Sequence, residues 1–208
     1  MADYIPNTLR FEADRSVVEN IFSAISGFDE EGYYQPILFQ SITPMPEELN
    51  IDSSNQMRYG YCIYKTFAEK YIASHPDCDI LKLSIEEEAA YCATTFAHLT
   101  IGEMARIKPL WRLGRKAYHN ELKYGCRTWY RWRMQHWGTK WDAHPARREA
   151  GSDTVYFTTA NNAPTPITRK LSRLYPDVTI THSFETSDFF VTVRYRAGKE
   201  VSREVIKR

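Results

Sequence analysis

The fold is decided by one stretch, residues 153–195, which reads DTVYFTTANNAPTPITRKLSRLYPDVTITHSFETSDFFVTVRY. Apolar and polar residues alternate in residues 153–160, 178–184 and 189–195, and this period of two is typical of half-buried strands. Between the first two of these segments, residues 167–174 carry apolar side chains at helical spacing. The stretch therefore predicts the order strand, helix, strand, strand.

The amino-terminal segment predicts the remaining elements of a small α+β domain. Residues 7–12 alternate as a strand, and Asp14 is suited to cap a helix whose apolar residues recur at helical spacing. Residues 36–42 are a second strand candidate. With residues 153–195, these elements give the split β-α-β arrangement of the ferredoxin-like fold. Residues 201–208 are expected to form a polar tail that frays.

The middle of the chain has long helical runs separated by polar residues. Ser84 followed by Glu87 predicts a capping box at one helix start. The sequence thus predicts an α+β protein with a ferredoxin-like antiparallel sheet and a large, mainly helical insertion. The ferredoxin-like domain is assigned to residues 1–44 plus 150–208, and the helical insertion to residues 45–149.

Charge is distributed unevenly along the chain although it nearly cancels overall. The 208 residues include 27 Lys and Arg and 26 Asp and Glu, for a formal net charge of +1. Residues 1–105 hold 17 acids and 6 bases, whereas residues 106–148 hold 12 bases and 2 acids. Two explanations remain open at this stage. The basic segment is either neutralised internally by acids such as Glu86, Glu87 and Glu88, or displayed as an interaction surface.

The composition is that of an ordinary globular protein, and several classes are excluded by it. No apolar stretch is long enough to span a membrane, and the first residues lack the features of a signal peptide, so a cytoplasmic location is expected. Cys62, Cys78, Cys92 and Cys126 form no close pair, which argues for reduced thiols and against a metal site. No nucleotide-binding or hydrolase motif occurs, so no cofactor is expected.

Two side chains are candidates for a catalytic role. His136 lies beside a tryptophan, and Cys126 lies next to Arg127, which would lower a thiol pKa. Neither has a second catalytic group in view, so a non-enzymatic protein with no catalytic residues is expected. An enzyme of unknown reaction remains a minor alternative.

The basic segment, residues 106–148, also contains all five tryptophans. Its cations are suited to contact the phosphates of a nucleic acid. Trp129 and Trp132 are suited to stack on unpaired bases. The competing interpretation is that the tryptophans belong to the core, since tryptophan is highly buried on average. The candidate binding residues are Arg106, Arg112, Arg115, Lys116, Arg127, Arg131 and Lys140.

A family resemblance is carried by residues 42–49 (ITPMPEEL) and 137–143 (WGTKWDA), followed by residues 156–160, 163–166 and 171–177. In these motifs and their order, the sequence resembles the YubB-like (Api-like) proteins of bacteriophages and conjugative plasmids, which carry a ferredoxin-like domain. The family offers no catalytic residues to carry over. The residues assigned to a structural motif are Trp129, Trp132, Trp137, Gly138, Trp141 and Asp142.

The resemblance implies an accessory protein of a mobile element that acts in the bacterial cytoplasm. We expect it to bind a host protein or ribonucleoprotein complex, as a counter-defence inhibitor such as an anti-CRISPR protein does. Its charged patches would steer the partner, and its aromatic residues would anchor it. The alternative is a nucleic-acid-binding protein that uses residues 106–148. The sequence does not define the oligomeric state.

Overall fold

The three strands expected in residues 153–195 are present in the computed structural model, which describes residues 3–95 and 100–208. The chain divides into two compact units. The sheet unit is formed by the chain up to Met45 together with Trp132–Arg208, and the helical unit is Pro46–Arg131. The helical unit is therefore shorter than the insertion predicted for residues 45–149.

The sheet unit is built on one antiparallel sheet of six strands, and this confirms the predicted fold class. The strand order is β4-β5-β1-β6-β7-β8, with every neighbouring pair antiparallel. Two further short strands form a separate hairpin. The strands of the sheet are β1 Tyr4–Glu12, β4 Ala146–Arg147, β5 Thr154–Ala160, β6 Thr179–Glu185, β7 Phe189–Arg196 and β8 Lys199–Lys207. The strands of the hairpin are β2 Gly27–Phe28 and β3 Tyr34–Gln35.

Two helices, α1 (Arg15–Ile25) and α7 (Thr165–Leu174), pack on the same face of the sheet. Phe22 of α1 contacts Phe11 of β1 edge to face, with ring centroids 5.2 Å apart. On α7, Thr168 contacts His182 of β6, which lies opposite Leu9 in the sheet register. The alternating buried positions of β1 thus face the helices, as the period of two predicts.

The strand predicted for residues 36–42 is wrong. Only Tyr34 and Gln35 pair as a strand, and a short helix, α2 (Phe39–Ile42), follows them. The Asp142 carboxylate accepts hydrogen bonds from the backbone N–H groups of Phe39 (2.7 Å) and Gln40 (3.2 Å). Because these N–H groups are bonded at the helix start, the chain turns into a helix rather than a strand.

The fraying tail predicted for residues 201–208 is also wrong, because β8 pairs with β7 along its length. The hairpin turns at Ala197 and Gly198, whose φ angles are 49° and 75°. Two consecutive positive φ angles are the hallmark of a tight type I′ turn, whose twist matches that of a β-hairpin. Every residue of β8 is exposed, so the strand carries no buried-exposed alternation by which a sequence pattern reveals it.

Residues 132–149 fold with the sheet unit because their side chains and backbone contact it. Trp137 contacts Phe39 edge to face at 5.9 Å, and Ala146 and Arg147 pair with β5. The division between the units falls within helix α6 (Trp129–His136).

In its described residues, 46–95 and 100–131, the helical unit contains a short 3₁₀ turn and the helices α3, α4 and α5. The 3₁₀ turn is Glu47–Leu49, and the helices are α3 Asn55–Ser74, α4 Ile85–Thr95 and α5 Ile101–Tyr124. The backbones of α3 and α5 approach each other closely at Gly60 and Gly114. A Cβ added at Gly114 would lie 2.0 Å from the carbonyl oxygen of Gly60. Glycine is therefore required at this crossing, although it weakens a helix elsewhere.

Candidate binding site

Part of the predicted basic surface is neutralised inside the helical unit, around the buried carboxylate of Glu88. This side chain is 3% exposed and accepts hydrogen bonds from Arg115 Nε (2.7 Å), the Tyr64 hydroxyl (2.6 Å) and Trp111 Nε1 (3.2 Å). A second guanidinium nitrogen of Arg115 donates to the Leu83 carbonyl. Arg115 is thus half-buried, and its charge is neutralised within the unit.

The predicted capping box at the start of α4 explains why Glu88 is difficult to recognise from sequence. The Glu87 N–H donates to the Ser84 hydroxyl, and the Ser84 N–H donates to the Glu87 carboxylate, which confirms the predicted cap. These hydrogen bonds lower the pKa of Glu87. Glu88 belongs to the same run of three acids but turns inward to Arg115. Spacing alone does not distinguish the buried acid from the capping one.

Two further cations of the segment are also paired internally. Arg127 donates to a Glu121 carboxylate oxygen at 2.9 Å, and its guanidinium lies 3.5 Å from the centroid of the Tyr61 ring. Lys123 donates to a carboxylate oxygen of Glu48 at 3.0 Å. Arg127 therefore ties α5 to α3 within the helical unit.

The remaining cations of α5 are displayed. Arg106, Lys108, Arg112 and Lys116 are exposed, and none forms an ion pair with another residue in the described part of the chain. We call these four residues the α5 basic face. Lys108, Arg112 and Lys116 recur every four residues, so they form one line about 12 Å long on the helix surface. The sequence analysis missed Lys108, although its spacing from Arg112 gives the signal.

The other two predicted cations, Arg131 and Lys140, lie outside α5. Arg131 is exposed on α6, at the boundary of the two units. Lys140 belongs to the sheet unit, where its ammonium lies 4.2 Å from the centroid of the Trp141 ring. Of the seven predicted binding residues, Arg115 and Arg127 are ion-paired within the helical unit, and Lys140 belongs to the sheet unit.

The tryptophans are largely structural. Trp132 and Trp137 are 5% and 1% exposed, so neither indole face is open to stack on a nucleobase. Trp132 is already stacked on His136, with centroids 4.2 Å apart and an interplanar angle of 3°. Trp129 is half-buried and contacts Tyr130 edge to face. The interpretation of Trp132 as a base-stacking residue is incorrect.

The two side chains weighed as catalytic have ordinary structural surroundings. His136 lies against Trp132, and its Nδ1 is 3.1 Å from the Trp132 carbonyl oxygen. Cys126 is buried, and this burial raises the pKa of its thiol, which is the opposite of what activates a nucleophile. Residues 3–95 and 100–208 contain no cluster of His, Cys, Asp or Glu that is arranged to hold a metal ion.

The motif at residues 137–143 fixes a tight turn against the sheet and α7. Trp137 Nε1 donates to the Thr43 carbonyl at 2.9 Å, and the Thr139 hydroxyl donates to the Ala160 carbonyl at 2.9 Å. Gly138 has a φ of +82°, and a Cβ there would lie 2.6 Å from a ring carbon of Pro166. Only glycine combines this backbone angle with the available space.

Asp142 completes the motif. Its carboxylate also accepts a hydrogen bond from the backbone N–H of Ala143 (2.7 Å), in addition to those of Phe39 and Gln40. Burial raises the pKa of Asp142, while the three backbone donors and the nearby Arg133 act in the opposite direction. The residue caps α2 and closes the motif turn, so its role is structural.

The fold and these contacts define an α+β protein with a ferredoxin-like domain. Residues 137–206 match the family model described as the ferredoxin-like domain in Api92-like protein. This stretch begins with the tryptophan of the motif and includes β5, β6 and β7.

Among solved structures, the crystal structure of protein api92 from Yersinia pseudotuberculosis is similar, with 11% sequence identity and a TM-score of 0.45. The alignment covers 99% of this chain and 98% of that chain. A comparison with curated proteins found no match. In the part of the chain that the structure describes, no helix has the length and apolar character needed to cross a membrane.

Proposed function

We propose that this chain is a non-enzymatic binding protein that contacts the phosphate backbone of a nucleic acid through the α5 basic face. The observation that supports this proposal is the line of exposed cations at Lys108, Arg112 and Lys116, for which the described residues supply no counter-ion. Cations placed in this way release bound counter-ions from a polyanion, which is the main source of sequence-independent affinity.

A phosphate partner fits this surface better than a protein partner does. Protein interfaces are depleted in lysine at their centre and rely on aromatic anchors. The α5 basic face contains two lysines, and Trp132 of the basic segment is buried. Binding is therefore electrostatic, with weak preference for base sequence.

The salt dependence of binding gives the sharpest test. If three of the four cations contact phosphates of a duplex, the logarithm of the affinity falls against the logarithm of salt concentration with a slope of about −3. We would measure this slope by fluorescence anisotropy, with a labelled duplex of random sequence. The double variant Arg112→Gln Lys116→Gln is expected to reduce the slope to about −1.

A matched control comes from α3, where Arg58 and Lys70 are also exposed. The variant Arg58→Gln Lys70→Gln carries the same change in net charge, and we expect it to keep most of the wild-type slope. Undetectable binding of the duplex at low salt would refute the proposal. Equal reductions of the salt slope in the two double variants would refute it as well.

From the resemblance to YubB-like proteins we further propose that the binding serves a phage or plasmid in the bacterial cytoplasm. A host ribonucleoprotein, such as a CRISPR effector, contains both a protein and RNA phosphates, and the α5 basic face is suited to contact such phosphates. Affinity capture from a bacterial lysate with and without nuclease tests this proposal. A protein that is retained after nuclease treatment, and lost with Arg112→Gln Lys116→Gln, would support a host-protein partner. A capture that nuclease abolishes would leave only direct binding of nucleic acid.

A further inference from the structure

The sheet unit contains a cleft of about 540 Å³ that none of the assignments above uses. One wall is the β2–β3 hairpin with its connecting loop, and the other is the segment from Trp137 to His144. Arg133 and residues of α2, Gln40 and Ser41, also line it. The volume lies in the range of clefts that bind small molecules or one or two side chains.

The walls of the cleft are held in place before any ligand arrives. The Asp29 carboxylate accepts hydrogen bonds from Gln35 Nε2 (2.7 Å) and from the backbone N–H groups of Tyr33 (2.8 Å) and Glu31 (3.1 Å). These bonds fix the hairpin loop on one side. Asp142 and Trp137 fix the opposite wall through the contacts described above. A preorganised cleft loses little conformational entropy on binding.

The charges around the cleft select for a cation. Its lining includes four carboxylates, Asp29, Glu30, Glu31 and Asp142, against the single guanidinium of Arg133. Asp29 and Asp142 are occupied by the hydrogen bonds given above. Glu30 and Glu31 are exposed, and neither forms an ion pair with another described residue.

Exposed aromatic rings lie beside these carboxylates. Trp141 is 40% exposed and Phe28 is 73% exposed, and both line the cleft. The ammonium of Lys140 lies 4.2 Å from the Trp141 ring centroid, so one face of this indole already makes a cation–π contact within the chain. An indole and exposed carboxylates that line one cleft are together suited to recognise an alkylammonium or guanidinium group through both its apolar part and its charge.

We propose that this cleft is a binding site for an organic cation, a primary ammonium or guanidinium group carried on an aliphatic chain. Trp141 and Phe28 contact the aliphatic chain, and Glu30 and Glu31 pair with the charge. A free polyamine and a lysine or arginine side chain of a peptide supply the same chemistry. The site lies in the sheet unit and does not depend on the function proposed for the α5 basic face.

Nuclear magnetic resonance of the tryptophan indole N–H groups tests the proposal. Spermidine is the probe for a free polyamine, and the blocked tripeptide acetyl-Gly-Arg-Gly-amide is the probe for a peptide side chain. We expect one of them, at millimolar concentration, to shift the Trp141 resonance saturably while the resonance of Trp111, in the helical unit, stays in place. Saturation by spermidine indicates a polyamine site, and saturation by the tripeptide alone indicates a peptide site.

The variant Glu30→Gln Glu31→Gln is expected to weaken binding of the active probe about tenfold, because two charge contacts are lost. The matched control, Glu47→Gln Glu86→Gln, removes two exposed acids of the helical unit and should leave the affinity unchanged. The proposal is overturned if neither probe shifts the Trp141 resonance, or if the two double variants bind equally well. A dispersed spectrum of each variant shows that it is folded.

Discussion

The buried histidine of the sheet unit makes the stability of that unit depend on pH in a way that can be worked out. His182 is 0% exposed, with Nε2 lying 3.1 Å from Asn7 Oδ1 and Nδ1 lying 3.0 Å from Thr168 Oγ1. The amide nitrogen of Asn7 donates to the Ile5 carbonyl and to Thr159 Oγ1. The network is therefore satisfied by a neutral imidazole that donates from Nε2 and accepts at Nδ1.

Burial lowers the pKa of His182 to about 3. In the unfolded chain a histidine has a pKa of about 6.5, so between these two values the unfolded state holds one proton more than the folded state. Stability therefore falls as the pH decreases, by about 1.4 kcal/mol per pH unit at full slope. Between pH 7 and pH 5 the loss that arises from His182 amounts to about 2 kcal/mol.

The measurement is the free energy of unfolding in urea at pH 7 and at pH 5, followed through the amide resonances of β1 and β6. The variant His182→Gln removes the titrating group, so its free energy should change by about 2 kcal/mol less between the two pH values. This difference is unaffected by any constant loss of stability in the variant. His144→Gln, at an exposed position, is the control and should keep the wild-type dependence. Equal pH dependence in wild type and His182→Gln would refute the reasoning.

Two further predictions concern the helical unit. Gly114→Ala places a Cβ 2.0 Å from a backbone oxygen of α3, so it should destabilise the helical unit by about 1–3 kcal/mol in urea unfolding. The control, Gly102→Ala, adds a Cβ with no atom within 4 Å and should not destabilise the unit. Glu88→Gln removes the charge of the buried partner of Arg115 and should cost about 1–3 kcal/mol, because the Arg115 side chain is 27% exposed and stays partly hydrated, against a negligible effect of Glu86→Gln at an exposed position. In each pair, equal unfolding midpoints for the two variants would contradict the structural role assigned to Gly114 or Glu88.

Sequence reasoning succeeded where one face of an element is buried, and this explains which strands it found. β5 and β7 alternate between buried and exposed positions over most of their length, so their period of two is visible in the sequence. β8 is exposed throughout and is held by backbone hydrogen bonds to β7, which leave no side-chain pattern. Its hairpin also lacks the Asn-Gly or Asp-Gly turn that signals such a connection most strongly.

The failure at residues 36–42 has a different origin, because a long-range contact decides that segment. Its conformation depends on the carboxylate of Asp142, about one hundred residues away in sequence, which binds the N–H groups of Phe39 and Gln40. Local propensity contains no information about such a partner. Local propensity is equally uninformative about Glu88, because its burial depends on Arg115 of another helix.

The uneven charge of the chain is explained by two groups of residues on α5. In one group, Arg115 and Glu121 form ion pairs with Glu88 and Arg127 that hold the helical unit together. In the other group, Lys108, Arg112 and Lys116 are exposed. Internal neutralisation therefore applies to Arg115 and Arg127, whereas the interaction surface stays a proposal that rests on the exposed cations. The ion pairs of Arg115 and Glu121 hold α5 in place, so the exposed cations keep a constant spacing along the helix. The exposed cations can therefore be substituted to change binding without altering the fold. Neutralising an ion-paired residue should lower stability, whereas neutralising an exposed cation should change salt-dependent binding alone.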